Sequence, residues 1–417
     1  MTVPSTSNTA GNVASAVQFH PRQQSEWINV VAHLDPRFGG MSAVVPSLST
    51  SIRDLAQHNV SLAAFRSPGE SAAPESAHGL VVHDFPLGYG SWLSYKSARE
   101  ALRSLVNDSA GLHIHGLWES STLLGARSAQ RLAKPYMISA HGMLQPWALR
   151  NKRWKKAVYG AILERSNLQR ATCLHALTPT EAQEYRAYGL NNPIAVIPNG
   201  VNIPESIYPD VFLNQFPHLR GKRLLLFLSR IHYKKGLDVL CKAWTSVAKK
   251  WPDAHLVLAG PDFENTQSSM EAFVAAAKLQ DRVTFTGMLQ DRLKWSALQA
   301  AECFVLPSYS EGLSVSVLEA LGVGIPVIVS RQCNLPEVQE CGCGWVIEPN
   351  SQDLAVALND CLNSSKAAVY QMSVRGRTLI REKFSWEVVG RQMSELYTWM
   401  EGGSVPCNVT LDFGDKS

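Results

Sequence analysis

Short apolar runs recur along most of the chain and alternate with longer segments in which apolar residues return at helical spacing. The helical pattern is found at 41–59, 236–251, 269–280 and 292–301. The apolar runs predict strands at 27–34, 61–66, 79–85, 111–117, 135–142, 222–231, 255–260, 282–287, 303–308, 326–330 and 344–349. Because strands that alternate with helices form parallel sheets with helices on both faces, the pattern predicts an α/β fold.

The predicted strands fall into two groups of similar size, separated by a Pro- and Asn-rich segment at 197–222 that has the character of a linker. A chain of 417 residues is also too long for one comfortable core. We therefore predict two doubly wound domains, at 27–205 and 206–384. Ligands of open α/β sheets bind outside the carboxyl ends of the strands, so the candidate site residues are those just past the strand ends, facing a central cleft.

The two ends of the chain differ from these domains. Residues 1–26 are rich in Ser, Thr and Asn and lack a charged start followed by an apolar run, which predicts a disordered leader rather than a signal peptide. Residues 385–401 have the pattern of an amphipathic helix. We expect residues 402–417 to form a flexible tail.

The composition excludes several classes of protein. A net charge of +4 does not indicate a nucleic-acid-binding protein. No segment has the eighteen or so uninterrupted apolar residues of a membrane-spanning helix. The 8 cysteines show no framework spacing, and Cys341 and Cys343 lie too close together for a C-x-x-C pair. Free thiols in a reducing compartment predict a cytoplasmic protein.

Three cations follow the strand that opens the second group. Arg230 lies at its end, and Lys234 and Lys235 precede Gly236 and the next predicted helix. Cations beside a helix N-terminus are placed to bind a diphosphate. A solvated basic turn is an equally good interpretation of this pattern alone.

Two glutamates frame the start of another predicted helix, in the stretch Tyr309–Ser330. Glu311 follows a strand, and Gly312 after it allows close approach of the backbone to a ligand. The free amides near 313–315 would point into the cleft. Glu319, two turns into the helix, could accept hydrogen bonds from the vicinal hydroxyls of a ribose. Alternatively, Glu311 caps the helix and Glu319 lies on its surface.

In the first domain, glycines and histidines follow the predicted strands. Gly39 and Gly40 lie between a strand and a helix, which permits close approach to an acceptor or phosphate, although they do not form a dinucleotide-binding fingerprint. His115 and His141 each precede a glycine at a strand end. Two strand-end histidines facing one cleft are candidates for the site, and no third residue completes a zinc site.

Taken together, the motifs resemble those of the retaining glycosyltransferases of family 4, the group 1 glycosyl transferases with the GT-B fold. Glu311 and Glu319 match the family's pair of glutamates, with seven residues between them. Residues 230–236 match its Arg-x-x-x-x-Lys-Gly motif, and residues 198–201 match Pro-Asn-Gly-Val. The resemblance covers nearly all of residues 27–401.

Two positions depart from the family pattern. Ser229 stands where a Gly is common, and Asn202 stands where an Asp commonly follows Pro-Asn-Gly-Val. The order and spacing of the motifs are nevertheless specific.

The resemblance implies a role for each matched residue. Arg230 and Lys235 would bind the donor diphosphate and take the place of a metal ion, so that no metal or other cofactor is expected. Glu319 would hold the ribose, Glu311 would contact hydroxyls of the donor sugar, and His141 would touch the sugar near the reaction centre. The amides from Gly312 through Leu313 to Ser314 would complete the donor site, and Gly39, Gly40 and His115 would lie near the acceptor and phosphates.

Segment 149–165 concentrates basic residues beside aromatic ones. This pattern suits a weak peripheral contact with an anionic membrane, and a solvated helix face is the alternative. Family members that act on lipid-linked acceptors often dock on a membrane through the first domain, which would place the protein at the inner face of the plasma membrane.

The sequence therefore predicts a retaining, metal-independent hexosyltransferase. Its donor would be a UDP- or GDP-linked sugar, and its acceptor a glycan or lipid-linked molecule in the synthesis of a cell-surface polysaccharide such as lipopolysaccharide. The alternatives are a GT-B nucleotide-sugar epimerase, a phosphorylase, or a non-catalytic nucleotide- or carbohydrate-binding protein. The presence of Arg230, Lys235, Glu311 and Glu319 together disfavours the last of these.

Overall fold

The computed structural model describes residues 25–35, 40–55, 58–66, 77, 79–86, 92–146, 149, 164–262 and 265–414, with the backbone alone for 92–94. Gly39 lies outside the described residues, and so does most of the basic segment 149–165. The predictions made for them stay predictions.

The first domain is built on an eight-stranded sheet of order β14-β7-β6-β5-β4-β1-β2-β3. Its strands are β1 Glu26–Val31, β2 Asn59–Arg66, β3 Val81–Pro86, β4 Gly111–His115, β5 Tyr136–Ser139, β6 Cys173–Ala176, β7 Ile194–Val196 and β14 Thr410–Asp412. All neighbouring strands run parallel except β14, which pairs antiparallel with β7. Central strands such as β4 are buried along their whole length, as expected for a parallel sheet covered on both faces.

The second domain contains a six-stranded, fully parallel sheet of order β10-β9-β8-β11-β12-β13. Its strands are β8 Arg223–Leu228, β9 Ala254–Ala259, β10 Val283–Gly287, β11 Cys303–Leu306, β12 Val327–Ser330 and β13 Gly344–Ile347. One continuous apolar core joins this sheet to its helices. The two sheets confirm the predicted α/β fold with two Rossmann-like domains.

Helices lie between the strands. They are α1 Met41–Asp54, α2 Trp92–Asp108, α3 Ser120–Arg131, α4 Arg165–Gln169, α5 Pro179–Ala187, α6 Asp210–Gln215, α7 Leu237–Lys250, α8 Thr266–Ala276, α9 Asp291–Ala300, α10 Val315–Val323, α11 Glu337–Glu340, α12 Ser351–Asn363, α13 Lys366–Leu379 and α14 Trp386–Met400. Within the described residues, none of them combines the length and the apolar character needed to cross a bilayer.

Parts of the expected leader and of the expected tail belong to the first sheet. Strand β1 already begins at Glu26, inside the expected leader. The expected flexible tail contains β14, which extends the first sheet beside Ile194–Val196. An ion pair fastens this strand, since Arg186 Nε lies 2.9 Å from Asp412 Oδ2. The sequence did not predict this strand, because its three residues contain no apolar run.

Helix α14 returns from the second domain and packs on the first. The ring of Tyr397 stacks on that of Trp27 with centroids 3.9 Å apart. Gly390 lets α14 approach α1 closely, because a Cβ there would lie 2.0 Å from Ser51 Oγ. At the crossing between the domains, Gly200 lies against Trp386, and a Cβ on it would come within 2.4 Å of that ring. The last long helix therefore completes the core of the first domain.

Candidate active site

The two domains face each other across a cleft of about 390 Å³. Its walls follow the carboxyl ends of strands from both sheets, which is where ligands bind in such folds. The first domain contributes Gly40, Met41, Val44, His141, Leu177 and Asn199, and the second contributes Leu228, Ser229, Arg230, Lys234, Lys235 and residues 311–316.

Glu311 projects from the loop between β11 and α10, and its side chain is only 10% exposed. Its Oε1 atom accepts hydrogen bonds from Lys235 Nζ at 2.6 Å and from Ser308 Oγ at 2.7 Å. No residue in the described part of the chain bonds Oε2, while the side chain lines the cleft. One carboxylate oxygen therefore anchors the side chain, and the other is left for a ligand.

The backbone of this loop is held from both domains. The Glu311 carbonyl accepts from Asn334 Nδ2 at 2.7 Å and also from Gln145 Nε2, which belongs to the first domain. Ser310 Oγ donates in return to Gln145 Oε1. Sequence reasoning missed Gln145 and Asn334, because an amide side chain signals such a role only once the partner loop is known.

The start of α10 offers a row of unused donors. Among the described residues, no acceptor is found for the backbone amides of residues 312–316, all of which line the cleft. Ser314 precedes the helix without a side-chain cap. Free amides at a helix N-terminus, aided by the helix dipole, form a site for anionic or hydroxyl oxygens. The structure thus places Gly312, Leu313 and Ser314 where the donor site was predicted.

Arg230, Lys234 and Lys235 line the cleft on the same domain as these free amides. Arg230 is exposed and makes no ion pair with a described residue, whereas Lys235 is paired with Glu311. Burial lowers the pKa of Lys234, and its neighbours Lys235 and Arg230 act in the same direction, while Glu311 raises it. With one carboxylate among three cations, this wall of the cleft attracts anions.

The basic turn ends at Gly236, a position that only glycine fits. Its φ of 69° is left-handed, and a Cβ would lie 2.0 Å from the Pro307 carbonyl oxygen. Any other residue would push the turn away from β11. Lys235, immediately before it, is thereby held beside Glu311.

Glu319 lies on the first turns of α10 but is not among the residues that line the cleft. Its side chain is 11% exposed, and Oε1 accepts a hydrogen bond from Lys294 Nζ at 2.7 Å. Lys294 Nζ in turn lies 4.4 Å from the centre of the Trp295 ring. A ribose held by Glu319 would therefore share this carboxylate with Lys294.

His141 occupies a turn that is fixed on both sides. Its φ of 51° is left-handed, which is strained for this residue. The amide of Ala140 donates to the Tyr185 hydroxyl at 2.9 Å, and the amide of Gly142 donates to Glu181 Oε1 at 2.6 Å. These contacts present His141 to the cleft, opposite Gly312, whose added Cβ would lie 3.8 Å from the Gly142 nitrogen.

His115 does not face the cleft, contrary to its predicted place near the acceptor and phosphates. It is 1% exposed and lies behind His141, with its Nδ1 atom 3.0 Å from His141 Nε2. The prediction failed because β4 is a central strand buried on both faces, so a residue at its end can still point into the core. His115 belongs instead to a buried group with His113 and His175.

The remaining predicted residue of the first domain, Gly40, lines the cleft at the start of α1. Its carbonyl accepts from the amides of Ala43 and Val44, which begin the helix. In the part of the chain that the structure describes, no three His, Cys, Asp or Glu side chains are grouped as a metal site.

Two family models match the chain, one on each domain. Residues 39–200 match the glycosyl transferase 4-like domain, and residues 212–374 match the glycosyl transferases group 1 domain. Between them they contain Gly40, His115 and His141 in the first domain and Arg230, Lys235, Glu311 and Glu319 in the second.

Similar proteins include a GDP-mannose-dependent monoacylated alpha-(1-6)-phosphatidylinositol monomannoside mannosyltransferase of Corynebacterium glutamicum. It is 29% identical over 176 residues, which are 40% of this chain and 45% of that protein, so the match spans less than half of that relative. A GDP-mannose:cellobiosyl-diphosphopolyprenol alpha-mannosyltransferase of Xanthomonas oryzae pv. oryzae is 22% identical over 388 residues, covering 89% of this chain and 96% of that protein.

Solved structures share the fold. The crystal structure of Anabaena HepE in complex with UDP and glucose superposes with a TM-score of 0.72 at 16% identity, covering 90% of this chain and 100% of that one. WaaG, a glycosyltransferase involved in lipopolysaccharide biosynthesis, superposes with a TM-score of 0.66 at 15% identity, covering 89% of this chain and 99% of that one. With both domains matched by family models and the whole fold shared with GT-B enzymes, the chain belongs to the group 1 glycosyltransferases.

Proposed function

We propose that the protein transfers a hexose from a UDP- or GDP-linked donor to a glycan or lipid-linked acceptor. The observation that carries this proposal is the wall of the cleft, where the free amides of residues 312–316 lie beside Arg230 and Lys235. Backbone donors and fixed cations together suit a diphosphate flanked by sugars. Membership of the family supports glycosyl transfer as the reaction, and the cations and amides of the cleft support a diphosphate as the group that is bound.

The chemistry proposed is electrostatic. As the bond between the sugar and the diphosphate breaks, negative charge grows on the leaving phosphate. Arg230, Lys235 and the amides at the start of α10 are fixed donors that stabilise this charge without reorganising. These groups take the role that a metal ion has in other transferases, so the proposed reaction is independent of metal.

The sugar would lie between Glu311 and His141, which face each other across the cleft. Glu311 is a poor nucleophile because Lys235 and Ser308 already bind one of its oxygens, and its free oxygen suits sugar hydroxyls. We therefore propose retention by attack on the same face of the sugar, assisted by the leaving phosphate, rather than through a covalent intermediate.

For the donor, the relatives suggest two first choices. Two of them are GDP-mannose-dependent by name, and the Anabaena structure holds UDP and glucose. GDP-mannose and UDP-glucose are the donors to test first. For the acceptor, both named mannosyltransferases act on lipid-linked molecules, which supports an acceptor of this type in the synthesis of a cell-surface polysaccharide or lipopolysaccharide.

A lipid-linked acceptor would require the protein to reach a membrane. We propose weak peripheral binding of this cytoplasmic protein through the basic segment 149–165, whose charge and aromatic content suit an anionic surface. Co-sedimentation with vesicles of phosphatidylcholine, with and without phosphatidylglycerol, tests this. Equal binding to both kinds of vesicle would rule out an electrostatic membrane contact.

A thermal-shift screen against UDP, GDP, ADP and CMP, each with and without Mg²⁺, tests the donor site. A ligand that binds only the folded state raises the melting temperature by mass action, so we expect one nucleoside diphosphate to stabilise the protein whether or not Mg²⁺ is present. The Glu319→Ala variant should lose most of this shift, because a charge-assisted contact to the ribose is worth roughly 1.5–3 kcal/mol.

Turnover then separates the remaining functions. Release of the nucleoside diphosphate that rises on adding an acceptor indicates a transferase. Interconversion of the sugar on an intact donor would indicate an epimerase, and phosphate-dependent cleavage of a glycan a phosphorylase. Binding without any turnover would leave a nucleotide-binding protein.

A further inference from the structure

A chain of polar side chains runs from the cleft into the core of the first domain, and four of its members are histidines. Hydrogen bonds join its neighbouring members except between Asn29 and Tyr397, which lie side by side. His141 lies at the cleft, and His115, His113 and His175 follow behind it with 0–3% of their surface exposed. Burial lowers the pKa of His141 to about 3 and that of His175 to about 4. Burial also lowers the pKa of His113 and that of His115 well below the ordinary value. All four imidazoles are therefore neutral at ordinary pH, so each carries one N–H and one bare nitrogen.

The inner end of the chain has a fixed direction. His175 Nε2 lies 2.7 Å from the carbonyl oxygen of Ile197, which can only accept, so this nitrogen carries the proton. The bare Nδ1 of His175 must accept from Ser139 Oγ, 2.6 Å away. The single hydroxyl proton of Ser139 is thereby used.

The direction continues through His113 to helix α14. Because the proton of Ser139 is used, its oxygen must accept from His113 Nε2 at 2.6 Å. The bare Nδ1 of His113 then accepts from the Tyr397 hydroxyl at 3.0 Å. Tyr397, supplied by the C-terminal helix, has no second proton to give.

The orientation of the Asn29 amide decides which nitrogen of His115 carries the proton. Its amide nitrogen has no partner with ordinary hydrogen-bond geometry, but its side chain lies close enough to Tyr397 to lower the pKa of that hydroxyl, which burial raises. The reverse orientation would point the amide oxygen at a hydroxyl oxygen whose proton is already used. As placed, Asn29 Oδ1 lies 2.8 Å from His115 Nε2, which must donate to it.

We infer that this chain, anchored at the carbonyl of Ile197, holds His141 as the tautomer protonated on Nε2 and leaves Nδ1 as a bare acceptor on a ring that lines the cleft. The last link is His141 Nε2, which donates to the bare Nδ1 of His115 at 3.0 Å. Among the described residues none bonds His141 Nδ1. Tyr397, Asn29 and the buried histidines are positioning residues in this scheme.

The consequence is a preference for one kind of donor sugar, which rests on the proposed function. A bare nitrogen can accept a hydrogen bond from a sugar hydroxyl but cannot donate one to a carboxylate or carbonyl. The site should therefore favour a hexose that presents a hydroxyl to His141 over a uronic acid or a deoxy sugar at that position. A site built to bind a hydroxyl discriminates because its own polar atom is otherwise left without a partner.

Nuclear magnetic resonance tests the tautomer on the full-length protein without any donor. Long-range ¹H–¹⁵N spectra of protein labelled in its histidines distinguish a protonated from a bare nitrogen in each ring, and the His141→Gln variant identifies the signals of His141. We expect protonated Nε2 and bare Nδ1. A protonated Nδ1 would overturn the inference, whatever the enzyme does.

Tyr397→Phe tests the relay, because it removes the hydroxyl that orients Asn29 and keeps the ring that stacks on Trp27. We expect signals of the Nδ1-protonated form of His141 to appear. The matched control is Tyr136→Phe, which removes another buried hydroxyl of this domain, bonded at 2.7 Å to the carbonyl of Asn167, outside the relay. If His141 keeps its pattern in Tyr397→Phe, or changes equally in the control, the relay is wrong.

An activity measurement tests the preference separately. With whichever of GDP-mannose and UDP-glucose is turned over, monodeoxy analogues of its sugar should include one whose kcat/KM is lower by up to about tenfold, as for the loss of one neutral hydrogen bond. In Tyr397→Phe this difference should shrink, while Tyr136→Phe should keep it. An undiminished difference would overturn the preference; no turnover of either donor would count against the proposed function and leave the tautomer result standing.

Discussion

Arg230 differs from Lys235, another cation of the cleft, because it forms no ion pair with any described residue. Its removal therefore leaves no buried carboxylate uncompensated, unlike the removal of Lys235 from Glu311. We expect Arg230→Met to lower kcat/KM by about tenfold to a hundredfold, which corresponds to a charge-assisted contact of roughly 1.5–3 kcal/mol. The melting temperature should change by no more than about 1 °C, because this side chain is exposed and no described residue forms an ion pair with it.

Arg220→Met is the matched control for that prediction. Arg220 is half-exposed, and its guanidinium lies 3.7 Å from Asp210, away from the cleft-lining residues. Its loss should leave steady-state kinetics unchanged. Equal kinetics for the two variants would remove Arg230 from the donor site.

The buried histidines give stability a defined dependence on pH. His141 and His175 are neutral in the folded protein, with pKa values of about 3 and about 4, but take up protons below about pH 6.5 once unfolded. The unfolded state thus binds more protons than the folded state, so the free energy of unfolding falls as the pH drops below about 6.5. His175→Gln should reduce this slope by up to one proton, or about 1.4 kcal/mol per pH unit.

Urea unfolding at intervals between about pH 5 and pH 6 checks this. Glu184 acts in the opposite direction, because burial raises its pKa to about 7, so that stability falls as the pH rises through that range. Since Glu184 is present in both proteins, its effect cancels in the comparison of wild type with variant. Parallel curves for the two proteins would contradict the expected slope.

At the scale of elements, the crossing of α1 and α14 depends on a glycine. A Cβ at Gly390 would lie 2.0 Å from Ser51 Oγ and 3.0 Å from Ser51 Cβ, whereas Ser51 Oγ also donates to the Trp386 carbonyl. We expect Gly390→Ala to cost about 1–3 kcal/mol in the free energy of unfolding, as overpacking does. Chemical unfolding measures this cost.

A second substitution distinguishes the clash from a general effect on the helix. Ser51→Gly removes both atoms that the new methyl group would meet first, so the double variant should regain part of the stability lost by Gly390→Ala. Additive losses in the double variant would show that the two helices do not meet as described.

The strands that the sequence predicted are those in which apolar residues dominate a segment of five or more positions. It missed β6 and β7, which have only four and three residues. It identified Glu311 and Arg230 because motifs of fixed spacing carry them. It misplaced His115 because alternation along β4 puts His113 and His115 on the same face but does not say what covers that face. In this protein Tyr397 packs against that face. It lies 284 residues away from His113 in the sequence, so no local pattern can reveal the contact.

At the scale of the whole molecule, Gln145 links the two domains beside the cleft. Its side chain bonds both Ser310 and the Glu311 carbonyl of the second domain. Closure of domains completes many active sites, so we expect Gln145→Ala to lower kcat by about tenfold while the Kd for the nucleoside diphosphate changes little. Hydrogen exchange at residues 310–312 should become faster.

Asn334→Ala is the comparison for this prediction, since Asn334 bonds the same Glu311 carbonyl from within the second domain. That variant should loosen the loop without affecting how the domains meet, so small-angle scattering should show expansion for Gln145→Ala only. The same scattering curve for both variants would show that Gln145 supports the loop rather than the closed form.

The return of α14 to the first domain also sets an order in time. Domains generally fold as units while the chain is being made, the N-terminal one first. In this protein, residues 27–205 emerge long before α14, whose Met393, Leu396 and Tyr397 fill the core beside Trp27. The second domain can therefore fold completely before α14 packs on the first domain and completes its core. A released chain that ends after residue 384 would have one completed half and another with Trp27 bare, open to chaperones and proteases.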